Sequence, residues 1–207
     1  MVKQDRAVRT RETVLAAAGA AFAENGFLGT SMADILQRAG VTKGALYFHF
    51  ASKEELAFAL IAEEEQAAAR IVDEALARDT PPLHTLVALI TRWAQSIQSD
   101  PVIRAGVRLI VEQGTYQRPM PEPYSQWDVR IAELLEKAGD RGELRKDVNC
   151  KAAAEFIVAS FTGIQLLSQL TSGHQDLLER LQTMLDVVFG GLLADGHSMV
   201  FVPGAMV

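Results

Sequence analysis

Apolar residues recur every three or four positions along nearly the whole chain, the spacing that places them on one face of an α-helix. The first such segment, about residues 6–24, ends at Asn25-Gly26, and its apolar face holds Val14, Leu15, Ala18 and Phe22. The sequence is 49% apolar, rich in Ala and Leu, and poor in runs of β-branched residues. The pattern therefore predicts an all-α fold.

Residues 30–50, TSMADILQRAGVTKGALYFHF, combine two short helical segments with a sharp turn. Ser31 and Thr42 can cap helix N-termini, and Gly40 can take the left-handed conformation that ends a helix. In the second segment apolar side chains face inward, and the opposite face exposes Lys43, Gly44, Tyr47 and His49. Because a DNA-reading helix needs this division, we predict a helix-turn-helix unit.

The sequence predicts helices for most of the remaining chain. Ser52 caps a long helix that can run to about residue 78, and shorter helices follow at about 82–97, 102–112 and 124–138. Residues 114–123 contain three of the seven prolines and are predicted to form an irregular loop.

Two apolar helices, at about residues 151–170 and 174–194, close the sequence. Both carry apolar residues on more than one side, so a single buried stripe does not account for them. A symmetric partner would cover the second face, with two helices from each chain forming a four-helix interface. A thick monomeric core is the alternative.

Charge is unevenly distributed along the chain. The net charge is −6, but residues 1–50 carry six Lys or Arg against four acids, a balance of +2 that leaves −8 for the rest. An acidic body with a basic tip would orient the tip towards phosphate and limit non-specific binding.

Several classes of protein are disfavoured by what the sequence lacks. The four histidines form no HxxxH or HExxH pair, and neither GxSxG nor GxxxxGK is present, so we expect no enzyme, metal site or cofactor. No uninterrupted apolar run reaches eighteen residues, and the basic N-terminus lacks a secretion signal's apolar core. Cys150 is the single cysteine, which is compatible with a reducing cytoplasm.

The segment GVTKGALYFHFASKEEL, residues 40–56, resembles the DNA-binding head of TetR-family one-component repressors. Three further motifs resemble the γ-butyrolactone autoregulator receptors: RAGVRLIVEQGTYQRPMPEPYSQW at 104–127, GELRKDV at 142–148 and SFTGIQLLS at 160–168. These motifs are spread over about two thirds of the chain.

The resemblance implies an all-helical homodimer that binds palindromic operators and leaves them when a small secreted signal binds. It assigns residues 1–52 to a three-helix DNA-binding domain and residues 53–207 to a helical ligand-binding and dimerisation domain. In that group the controlled genes commonly serve antibiotic production and signal synthesis. A TetR-like repressor of a drug exporter, which answers to hydrophobic compounds, is the alternative; an architectural DNA-binding protein conflicts with the large helical body.

Six head residues are candidate contacts to double-stranded DNA, on their chemistry and on the resemblance: Thr42, Lys43, Gly44, Tyr47, His49 and Lys53. Lysine can meet a guanine edge or a phosphate, and glycine lets the backbone approach the duplex. Tyr47 could instead be a half-buried aromatic, and His49 could serve packing alone. Arg6, Arg9 and Arg11 are expected to reach phosphates from a flexible arm or to be solvated.

The main candidate for contact with the signal is Trp127, because in the receptors that this chain resembles a tryptophan in this motif lines the cavity. Thr162 and Gln165 are polar residues on an apolar helix and need partners, for which a lactone or carboxyl oxygen is suitable. The alternative is a Thr162 hydroxyl bonded to its own helix and a Gln165 amide at the dimer surface. Candidate apolar walls, which core packing would equally explain, are Leu86, Ile90, Trp93, Val107 and Ile110.

Glu64 lies within the acidic run Glu63–Glu65 on the long helix. A solvated run is the favoured interpretation, because a buried acid would be costly without an arginine or a ligand hydroxyl beside it. The sequence leaves the signal's identity open among butyrolactones, butenolides and furans.

Overall fold

A computed structural model describes residues 2–112 and 125–198 of the chain. Within these ranges it contains nine α-helices and no strand, which confirms the all-α prediction. The helices are α1 (Val2–Asn25), α2 (Met32–Ala39), α3 (Lys43–His49), α4 (Lys53–Leu76), α5 (Pro82–Ser99), α6 (Pro101–Val111), α7 (Ser125–Asp140), α8 (Cys150–Ser172) and α9 (Leu177–Leu192).

Helices α1, α2 and α3 pack together as a three-helix head. Ser31 caps α2 through a reciprocal pair of bonds with Asp34, Gly40 ends α2 at φ 63°, and the Thr42 side chain caps α3. The caps satisfy amide groups that the helix ends leave unbonded. The core of the head is aliphatic and aromatic, and includes Val14, Ala18, Phe22, Ile35 and Leu46.

The head belongs to a compact unit that also contains residues 53–70 of α4 and the whole of α6. Helix α6 packs closely on α1, since a Cβ added at Gly19 would lie 3.1 Å from the Val102 Cα. It also crosses α4 closely, since a Cβ added at Gly106 would collide with the Glu64 side chain. Helix α6 is therefore packed against both the head and α4.

The second compact unit contains residues 71–98 and the described residues from 125 onwards. Its core is formed by apolar faces of α5, α7, α8 and α9, with fully buried Leu86, Ile97, Leu135 and Ile157. An isolated bridge between Leu144 and Leu193 fixes the α7–α8 connection to the end of α9.

Two features of the helices differ from the predictions. Arg6, Arg9 and Arg11 lie on α1, so the expected flexible arm is wrong for these residues. Helix α9 starts at Leu177 because Gly173 and His174 both have positive φ, at 62° and 72°. The predicted loop at 114–123 lies outside the described residues, and the division of the chain at residue 52 stays a prediction.

Glu64 contradicts the prediction of a solvated acidic run. Its side chain is buried, with 6% of the residue exposed, whereas Glu65 is exposed. Across the described residues, no hydrogen bond or ion pair reaches the Glu64 carboxyl. Burial raises the pKa of this carboxyl to about 8, and the nearby Glu65 carboxylate adds to the shift. The helix period turns Glu64 towards α6 where its neighbours in sequence face water.

The raised pKa of Glu64 predicts a stability that depends on pH. Between the ordinary pKa of 4.5 and about 8, the folded chain holds a proton that the unfolded chain has lost. The contribution of Glu64 to the free energy of unfolding therefore falls as pH rises through this window. We expect Glu64→Gln to raise the melting temperature at pH 8 and to leave it nearly unchanged near pH 4.5.

The matched control is Glu65→Gln, which makes the same change of charge at an exposed neighbour. Melting curves of the three proteins from pH 4.5 to 8.5 measure the effect. A gap between Glu64→Gln and wild type that stays constant over this range would contradict a neutral Glu64.

Candidate nucleic-acid interface and signal-binding residues

Helix α3 presents most of the predicted DNA contacts to solvent. Thr42, Lys43, Gly44 and Tyr47 are all exposed, and the Thr42 hydroxyl oxygen accepts a bond from the Ala45 amide at 3.2 Å. The Lys43 ammonium lies 5.9 Å from the centre of the Tyr47 ring, one turn along the helix. This face combines a cation, a phenol, a hydroxyl and an open backbone, which suits contact with phosphates and base edges.

His49 and Lys53 lie differently from those four residues. His49 is half-buried, and its ring meets the Phe48 ring edge-on with centres 5.0 Å apart. The Lys53 ammonium donates to the carbonyl oxygens of Phe27 at 2.8 Å and Thr30 at 2.9 Å. It also lies 4.2 Å from the centre of the Phe27 ring. Lys53, the first residue of α4, therefore bonds to the head, and its contact with DNA stays a prediction.

Phe48 is an exposed residue of α3 that the sequence analysis did not single out. It is 79% exposed, unusual for a large apolar side chain in a packed head. The helical period could have identified it, because Phe48 lies one turn after Gly44 on the solvent-facing side. An exposed aromatic ring on this face offers apolar contact with a thymine methyl group.

The structure brings two predicted signal-binding residues together within the second unit. The rings of Trp93 on α5 and Trp127 on α7 lie 5.5 Å apart between centres and are inclined by 42°. Trp93 is buried and Trp127 is half-buried. Leu86 and Ile90 are buried on α5, on the face that carries Trp93.

Thr162 and Gln165 on α8 both have partners in the protein. The Thr162 hydroxyl donates to the Val158 carbonyl oxygen at 2.9 Å, so the predicted bond to its own helix is present. The Gln165 side chain is buried, with its Nε2 atom 3.2 Å from Nε2 of His174. The interpretation of Gln165 as a surface residue is therefore wrong, and its contact with a signal remains a prediction.

The corner between α8 and α9 is a polar cluster built from short-range contacts. The Asp176 carboxylate accepts bonds from the hydroxyls of Ser168 and Ser172 and from Arg180. These donors hold the pKa of Asp176 at about 2. The Gln98 side chain donates to the His174 carbonyl oxygen at 2.7 Å, which ties α5 to the same corner. The cluster fixes the angle between the last two helices.

Val107 and Ile110 are buried on α6 and belong to the first unit. The other six candidates for signal contact belong to the second unit. Their roles as walls of one site stay predictions.

Helices α8 and α9 leave an apolar surface open to solvent, which we call the α8/α9 face. It contains Phe156, Leu167 and Leu170 on α8 and Val187 on α9, each more than half exposed. Gly163, Gly190 and Gly191 have no neighbouring atoms within 4 Å of an added Cβ. On length and composition alone α8 could cross a membrane, but that is weak evidence, and buried Gln165 and Ser168 interrupt it.

No group of three or more potential metal ligands occurs in the parts of the chain that the structure describes.

Comparison with protein families gives two matches that together span most of the chain. Residues 14–60 match the bacterial regulatory proteins of the tetR family. Residues 81–194 match the tetracyclin repressor-like C-terminal domain. The members of the family are transcriptional regulators, so the prediction that this chain is not an enzyme is confirmed.

The A-factor receptor protein of Streptomyces griseus is 38% identical over 184 residues, which are 89% of this chain. The chain spans 64% of that relative's length. A crystal structure described as a γ-butyrolactone receptor (ArpA-like protein) is 31% identical, with a TM-score of 0.81 over 92% of this chain and 91% of that one.

A structure of the TetR-family protein CprB from Streptomyces coelicolor, in complex with its biological operator sequence, is 30% identical. Its TM-score is 0.83, over 92% of each chain. The chain belongs to the TetR family of bacterial regulatory proteins and is similar, within that family, to the γ-butyrolactone receptors.

Proposed function

We propose that this chain is a cytoplasmic, homodimeric repressor that binds palindromic operator DNA and is released by a small signal of the γ-butyrolactone type. The observation that carries the proposal is the exposed face of α3 on a head that shares one compact unit with α6 and most of α4. The names of similar proteins, which include an A-factor receptor and a γ-butyrolactone receptor, support the signal class over an efflux regulator.

The exposed side of α3, with Thr42, Lys43, Gly44, Tyr47 and Phe48, is the reading face that accounts for operator binding. Lys43 can bond to guanine O6 and N7 in the major groove, while Thr42 and Tyr47 bond to phosphates. Gly44 allows the helix to approach the bases, and Phe48 adds an apolar contact. Two heads related by a two-fold axis must present their α3 helices about one duplex turn apart, ~34 Å, or a multiple of it.

The α8/α9 face accounts for the dimer. An exposed apolar surface on two adjacent helices is unfavourable in water, and a second copy of the same surface would cover it. Glycines in the face would let the helices of the two copies approach closely. In a dimer paired in this way, the interface between the two copies sets the distance between their DNA-binding heads.

The indole pair Trp93–Trp127, with Leu86 and Ile90, supplies apolar surface for a signal with an alkyl chain. For release, the signal must bind the DNA-free arrangement of the dimer more tightly than the bound one. A tenfold preference is worth only about 1.4 kcal/mol, so two sites per dimer make release more effective.

A gel shift on the promoter of the protein's own gene tests the proposal. Synthetic butyrolactones, butenolides and furan carboxylic acids are added in turn to the protein–DNA complex, with a set of hydrophobic drugs alongside. Release by one of the first three classes alone is expected. Release by many unrelated drugs would instead indicate an efflux regulator, and binding that ignores DNA sequence would contradict both.

Lys43→Ala is expected to weaken operator binding by roughly 10- to 100-fold, because a lost bidentate base contact is worth about 1–3 kcal/mol. Lys137→Ala, at an exposed position of α7, makes the same change of charge as a control. Gel-shift titrations measure both. Equal operator affinity for Lys43→Ala and wild type would show that Lys43 does not contact the operator.

Trp127→Ala is expected to leave operator affinity within about twofold and to raise the signal concentration needed for release at least about tenfold, a loss of about 1.4 kcal/mol in signal binding. Trp127→Phe keeps an aromatic ring and should lie between the two. If Trp127→Ala is released by the same concentration as wild type, the indole is not part of the signal site.

Leu170→Glu is expected to separate the dimer, because it places a charge on the α8/α9 face. Leu170 is 73% exposed in the single chain, so the change should not disturb the fold of the monomer. Val129→Glu, at an exposed position of α7, is the control. Sedimentation velocity measures the mass; a Leu170→Glu protein that remains dimeric would show that the partner binds elsewhere.

A further inference from the structure

The last turn of α6 bonds to the end of α1. Arg108 donates from Nη1 to the carbonyl oxygens of Ala23 at 2.9 Å and Glu24 at 3.2 Å. The final carbonyls of a helix have no partner within that helix, and here a side chain from a distant segment supplies one. Arg108 thus completes the end of the first helix of the head.

Glu112 extends this contact into the turn that follows α1. One carboxylate oxygen accepts from Arg108 Nε at 2.7 Å, and the other accepts from the Phe27 amide at 2.8 Å. Both side chains are about three-quarters buried. Charge-assisted bonds with little exposure to water hold their geometry better than surface ion pairs do.

The turn itself is shaped to admit the two side chains. Gly26 has φ 71°, and a Cβ at this position would lie 2.6 Å from Glu112 Oε1 and 2.7 Å from an Arg108 terminal nitrogen. A larger residue here would have to displace the ends of these two side chains and so disturb their bonds to α1 and the turn. Gly26 therefore serves both the left-handed backbone and the close approach of the Arg108 and Glu112 side chains.

Helix α4 also bonds to this turn. Lys53, the first residue of α4, donates to the carbonyl oxygens of Phe27 and Thr30, and its ammonium lies over the Phe27 ring. Ser31, the cap of α2, follows directly. The turn at residues 26–30 is thus bonded at once by the end of α6 and the beginning of α4, and it leads into the helix-turn-helix.

We propose that Arg108 and Glu112 are positioning residues that transmit signal binding from α6 to the DNA-reading head through the turn at residues 26–30. The inference rests on the proposed function and names the connection by which that function works. Arg108 lies between Val107 and Ile110, two buried residues of α6 that are candidates for contact with the signal. A displacement of α6 must either carry the end of α1 and the turn with it or break three hydrogen bonds, two to α1 and one to the turn.

The test uses the double variant Arg108→Ala/Glu112→Ala in the full chain. The chain has only two tryptophans, Trp93 and Trp127, so intrinsic fluorescence can report binding of the compound that releases wild type in the gel shift. Fluorescence anisotropy with labelled operator then reports release by the same compound. The two readouts separate binding of the signal from its consequence.

We expect the double variant to bind operator and compound within about threefold of wild type, and to need at least about tenfold more compound for release. The control is Arg130→Ala/Glu133→Ala, which removes an exposed ion pair of 3.2 Å on α7. Circular dichroism checks that each variant is folded. Should the double variant not fold, Glu112→Gln, which keeps an oxygen for the Phe27 amide but loses the ion pair, is measured in the same way.

Release of the variant at the wild-type concentration, with the compound bound equally well, would overturn the role of Arg108 and Glu112 while leaving the proposed function intact. A proportional loss of compound binding would overturn it too, since it would place the pair in the signal site. A wild-type protein that no compound releases would instead refute the proposed function.

Discussion

The open carbonyl groups at the end of α1 are the constraint on which the rest of the structure depends. A helix end inside a protein needs partners for its last carbonyls, and in the head the Gly26 amide and the Thr30 hydroxyl bond only to those of Phe22 and Ala21. Here the partner is Arg108 of α6, held in turn by Glu112. The head therefore does not complete its own first helix, and its compact unit includes α6 and most of α4.

Two other features depart from what stability alone would favour. Glu64 is a carboxyl buried without a hydrogen-bond partner among the described residues, where α4 and α6 approach closely. The α8/α9 face exposes large apolar residues in an otherwise well-packed unit. Departures of this kind concentrate where a protein binds something. In this chain, Glu64 lies between the helices α4 and α6 of the unit that contains the head. The α8/α9 face is suited to binding a second copy of the chain.

The helices and the turn motif could be predicted because their signals are local. Apolar spacing, Ser31, Thr42 and Gly40 are sufficient to define α2 and α3, and the caps form as expected. The Glu63–Glu65 run could not be resolved in the same way, because burial of its middle residue depends on how α6 crosses α4. A charged run viewed alone has no information about a helix some forty positions further along the chain.

Contacts between distant segments account for the other differences. The contacts of Arg108 and Glu112 with the head could not be predicted from the sequence, because their partners there lie 84 or more positions earlier in the chain. The contact of Gln165 with His174 could not be predicted, because His174 takes an unusual left-handed conformation after Gly173. The similarity to known receptors shows the family, whereas contacts of individual residues with DNA or signal are predicted from the chemistry of their side chains.

The distance between the two heads in solution tests the central claim most directly. A spin label at Gln37→Cys, an exposed position of α2, in a Cys150→Ser background allows this distance to be measured by pulsed electron resonance. We predict one narrow distance distribution with operator bound, and a shift of several ångströms when the releasing compound is added. If no dipolar coupling between labels on two copies is detected, the chain is not a dimer and the account is contradicted. A distance distribution that the compound leaves unchanged would contradict it as well.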